Sequence, residues 1–66
     1  MRFEKFCSLV ADYLAAAGCS GVFGIDDNGK YIVRSSDGKT FTGNSFSKKI
    51  TVRWGDGHQS MIDVAG

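Results

Sequence analysis

Trp54, Asp56 and His58 fall within the short stretch "WGDGHQ", and they include the chain's single tryptophan and single histidine. An indole, a carboxylate and an imidazole are groups that bind partners and move protons. With Cys19 as nucleophile, His58 as base and Asp56 as its orienter, they would form a thiol enzyme. Nothing in the spacing holds Cys19 to His58, and no oxyanion loop is recognisable. Cys7, Cys19 and His58 are also the best metal ligands, yet they lack the paired spacing of zinc motifs. Cys7 lies on an apolar stripe, where a thiol behaves as a small hydrophobe. "DDNG" has the composition of a calcium loop, but aligning Gly29 with the loop's invariant glycine puts Gly24 and Ser35 where acids are needed. "GCSGVFG" follows a helix and lacks the Gly-Lys-Ser/Thr ending of a phosphate loop. No residue is assigned as catalytic, cofactor-binding or metal-binding, and the expectation is a non-enzyme without cofactor.

The glycines of "WGDGHQ" have a backbone explanation. Asn28-Gly29, Asp37-Gly38 and Asp56-Gly57 repeat one device, an Asn or Asp followed by Gly. That pair accepts the positive φ of type I′ or G1-bulge hairpins. Extended segments are expected around these turns, at 22–26, 30–35, 39–43, 48–54 and 58–64. "GNSF" reads as a further turn or as a bulge within one long strand.

Residues 2–17 read as an amphipathic helix. Phe3, Phe6, Cys7, Val10, Leu14 and Ala17 fall within about 100° of arc. Glu4, Lys5, Ser8, Asp12 and Ala15 take the far side. Ala15-Ala16-Ala17 adds helix propensity, and Gly18 is a natural terminator. One helix followed by short antiparallel strands predicts a single α+β domain, the helix packed on one face of a four- or five-stranded meander. Strand alternation assigns the core: Phe3, Phe6, Val10, Leu14, Val33, Phe41, Ile50, Val52, Ile62 and Val64. Trp54 falls at its rim.

At 66 residues, with 42% hydrophobic and 23% charged side chains, the chain is expected to fold around a thin core. No apolar run approaches the roughly 18 residues of a membrane-spanning helix. No uninterrupted apolar stretch follows the N-terminus as in a signal peptide. Cys7 within the helix and Cys19 just beyond it lie at levels about 15 Å apart, too far for a disulfide unless the helix ends early, which leaves Cys19 open to an intermolecular bridge. Free thiols and these absences lead to a soluble, cytoplasmic protein.

The net charge of +1 is unevenly spread. Lys30, Arg34, Lys39, Lys48, Lys49 and Arg53 are opposed within 30–54 only by Asp37. Alternation puts Arg34, Thr40, Thr42, Lys49, Thr51 and Arg53 on the face turned from the helix, with Ile32 and Met61. A solvated antiparallel face holds such residues anyway, and lysines discourage edge pairing. The same face would also suit an acidic protein or a phosphate backbone. The pI near 7.8 is low for a dedicated nucleic-acid module. The reading is a small interaction protein docking on another macromolecule. One concrete form is an inhibitor or regulator of a larger complex, such as a phage anti-defence factor. The alternative is a nucleic-acid-binding module. Candidate partner-binding residues are Arg34, Lys49 and Arg53 on the basic face, and Trp54 and His58 at a hairpin end. Pairing of exposed edge strands would give a homodimer.

Overall fold

A computed structural model of the chain describes residues 1–64. Its elements are α1 (Phe3–Ala17), β1 (Gly21–Ile25), β2 (Tyr31–Ser35), β3 (Thr40–Gly43), β4 (Lys49–Arg53) and β5 (Gln59–Asp63). The strands form one open antiparallel sheet in chain order, and α1 lies on one face of it. This is the expected α+β meander, with five strands. Helix and strand ends differ from the sequence reading by a residue or so, as hairpin closure takes the flanking residues into turns.

The three Asx-Gly turns are built alike. The N–H of Gly29, Gly38 and Gly57 donates to the carbonyl three residues earlier, on Asp26, Ser35 and Trp54. Those same residues donate their own N–H to Lys30, Lys39 and His58. Only the glycine has positive φ, at 81°, 93° and 91°, and no other residue type does among those described. A type I′ turn needs positive φ at two central residues, so these are type I turns closed by a G1 bulge. Side chains reinforce them: Asp26 Oδ1 accepts the N–H of Asn28 and of Lys30, and Asp56 Oδ1 accepts that of His58. "GNSF" is a turn and not a bulge. Ser47 N–H donates to the Asn44 carbonyl, and Asn44 Oδ1 accepts from Phe46 N–H.

The helix closes with a Schellman motif: Cys19 N–H donates to Leu14 O and Gly18 N–H to Ala15 O, with Gly18 at φ 70°. Phe6, Val10 and Leu14 are buried on the helix side, against Tyr31, Val33, Phe41, Ile50 and Val52 of the sheet. Two glycines let the helix approach. A Cβ on Gly43 would meet the Phe6 ring at 3.4 Å, and one on Gly21 would meet Leu14 Cδ1 at 2.6 Å.

The core differs from expectation at its margins. Phe3, Ile62 and Val64 are half-buried and pack against the core from outside. The α1 backbone comes closest to β1 and β2, and Ile62 and Val64, at the opposite edge of the sheet, are less covered. Tyr31 is fully part of the core. Its ring meets Phe3 and Phe6 at 5.2 and 5.3 Å, and its hydroxyl donates to the Met1 carbonyl at 3.1 Å. A phenol can be buried where its oxygen finds such an acceptor. Both cysteines are free thiols.

Candidate interaction surface: the open face of the sheet

The face turned from the helix is defined by the strand register. Partnered residues share a face, so two cross-strand rows run over it. One is Val22–Arg34–Thr40–Arg53–Gln59. The other is Gly24–Ile32–Thr42–Thr51–Met61. Adjacent strands lie about 4.8 Å apart, so the Arg34 and Arg53 backbones stand roughly 10 Å apart with Thr40 between them. Right-handed sheet twist makes the face a shallow trough of about 620 Å³, lined by Lys30, Ile32, Arg34, Thr42, Thr51 and Arg53 among others. Arg34 and Arg53 are exposed, and the threonines half-buried.

Lys49 stands apart from this pair. It lies opposite Asp63 on β5, and the two side chains meet at 3.5 Å. Both are well exposed, so the contact contributes little to stability. It does offset the Lys49 charge locally. The cationic centre of the face is therefore Arg34 and Arg53.

Trp54 and His58 form a separate feature. Trp54 continues the side of Ile50 and Val52 and packs against the core. The His58 ring meets it edge-on at 5.3 Å. Lys39, from the β2–β3 turn, lies with Nζ 5.9 Å from the Trp54 ring centre and 2.9 Å from Asp37. Ser35 Oγ–H also donates to Asp37 Oδ1. The Ser35 hydroxyl and then the Lys39 ammonium hold the Asp37 carboxyl well below the usual carboxylate range. Asp37 in turn raises the Lys39 ammonium. The sequence counted Lys39 among the cations of 30–54 without marking it as a candidate contact. "SSDGK" signalled its turn, but its neighbour Trp54, just past β4, follows only from the register.

Cys19 lies toward Asp37 and Lys39, and its thiol donates to Ala17 O at 3.6 Å. His58 is engaged with Trp54. Burial pushes the Cys7 thiol up, away from the reactive thiolate. Among the described residues, no three His, Cys, Asp or Glu side chains are grouped as ligands for a metal ion. No helix among them is long and apolar enough to cross a membrane. No protein-family model, curated protein or solved structure matches the chain.

Proposed function

We propose that the protein is a non-catalytic docking module that uses the open face of its sheet to hold an acidic protein partner. The observation that supports this reading is the Arg34–Thr40–Arg53 row, set in an uncovered trough beside Val22, Ile32 and Met61. Guanidinium groups take carboxylates in a two-pronged geometry. The apolar neighbours add contact area, and the threonines add donors and acceptors. Arginine within apolar surroundings is the composition of a protein-binding hot spot. Inhibition or regulation of a larger complex, as by a phage anti-defence factor, is one form that such docking takes. Trp54 and His58, on the helix side at the end of the sheet, are a second, separate candidate contact.

The second reading is direct binding of nucleic acid, favoured by the same two arginines and the hydroxyls around them. The two rows hold no aromatic side chain on which bases would stack. The apolar residues at the row ends also match a protein better than a phosphate backbone. The test pairs two assays on wild type and on the Arg34→Glu/Arg53→Glu variant. In the first, DNA and RNA are titrated at several salt concentrations. In the second, partners are captured from a nuclease-treated host lysate. Docking on a protein predicts nuclease-resistant capture of a protein that the variant loses. Steeply salt-dependent nucleic-acid binding, with no such protein, would establish the second reading instead.

A further inference from the structure

We infer that two copies of the chain pair through their β1 strands, antiparallel about a two-fold axis at Phe23, to make one continuous sheet. This does not rest on the docking role of the open face. The two sheet edges are unlike. β5 carries Gln59, Ser60 and Asp63, the polar and charged side chains that guard an edge. β1 is Gly-Val-Phe-Gly-Ile, with no charge and no polar side chain. Val22, Phe23 and Ile25 are 76%, 39% and 52% exposed, and none of them joins the core. A strand left bare in this way presents a surface that asks for a partner.

The backbone is set for that partner. Ser36 N–H donates to Ser20 O, and Asp26 N–H donates to Lys30 O. Even-numbered residues of this edge thus turn their peptide groups toward β2. By antiparallel alternation, Gly21, Phe23 and Ile25 turn theirs outward. Pairing about Phe23 makes Phe23 of each copy a hydrogen-bonded partner of the other. It sets each Gly21 against Ile25 of the second copy.

Side chains and charges agree with the same register. Phe23 meets Phe23 across the axis, an aromatic cross-strand pair. Each Val22 lies beside a Gly24, which has open space on its side-chain face. Ile25 of the second copy lands beside Gly21, whose side-chain space Leu14 already fills. Asp26 of one copy falls opposite Ser20 of the other and far from its Asp26, so the acids at the strand end do not repel. The strand is self-complementary, which identifies the occupant as a second copy of this chain.

Sedimentation equilibrium of the whole chain, from about 1 µM to about 1 mM, reads the result. The expected mass rises with concentration from 7.1 kDa to twice that value and no further. Phe23→Lys sets like charges face to face. Phe23→Pro removes an outward N–H that the monomer's own ladder does not use. Both variants are expected to stay at 7.1 kDa throughout, with wild-type circular dichroism. In a chain with Cys7→Ser and Cys19→Ser, Phe23→Cys is expected to oxidise to a symmetric disulfide dimer and Met61→Cys not. A wild-type chain that stays monomeric would overturn the pairing. So would a dimer that survives both Phe23 variants, or one cross-linked through Met61→Cys on the other edge.

Discussion

The Lys39 ammonium lies over the Trp54 ring, 5.9 Å from its centre, while holding Asp37 at 2.9 Å. Lys39 belongs to the β2–β3 turn and Trp54 to the β4–β5 turn, so this contact ties two hairpin ends together. Asp37 is the anchor, and its carboxyl is held low by Ser35 and Lys39. A carboxyl lowered in the folded state adds stability above its unfolded value, about 3.9, and loses it as pH falls toward the folded value. Asp37→Asn should therefore lower Tm at neutral pH. The gap to wild type should narrow as pH is taken from about 4 downward. Thermal melts across that range check this, and a gap unchanged with pH would contradict it.

The G1-bulge turns make a sharper prediction about glycines. Gly57 sits at φ 91°, whereas its neighbour Gly55 has no positive φ. Both have open space where a Cβ would go. Gly57→Ala should cost about 1 kcal/mol or more from backbone conformation alone, and Gly55→Ala should be near neutral or stabilising. Urea unfolding followed by Trp54 emission measures both. Equal effects would contradict the turn assignment.

Phe41 is fully buried, with the Tyr13 ring edge-on at 5.7 Å. Phe41→Ala should cost about 3–5 kcal/mol. A single small core seldom supplies more than about 3–5 kcal/mol in total, so the variant should be largely unfolded at room temperature. Ile50→Val, at an equally buried position, should cost about 0.5–1.5 kcal/mol and leave the fold intact. Circular dichroism distinguishes the two outcomes.

Much of this fold was legible in the residues. The 3.6-residue stripe from Phe3 to Leu14 and the repeated Asx-Gly pairs act locally, so period and turn chemistry suffice to place α1 and the hairpins. Phe3, Ile62 and Val64 were read as core because alternation says which face a residue takes. It does not say how far the single helix reaches across that face. Tyr31 shares the face of Val33, but its cover by Phe3 and Phe6, with its hydroxyl on the Met1 carbonyl, is a long-range arrangement that no spacing rule contains. The Arg34–Arg53 pair was legible from alternation. The pairing of Lys49 with Asp63, and of Lys39 with Trp54, depends on strand register and turn packing, which the sequence pattern leaves open.

The most direct test of docking through the open face is site-specific photocross-linking in the native host. A photoreactive side chain replaces Thr40, between the two arginines, or Asp12, exposed on the helix. The account predicts that Thr40 yields a discrete protein adduct, that Asp12 yields none, and that Arg34→Glu/Arg53→Glu abolishes the Thr40 adduct. A protein adduct through Asp12 alone, or a nucleic-acid adduct in place of a protein at Thr40, would contradict it.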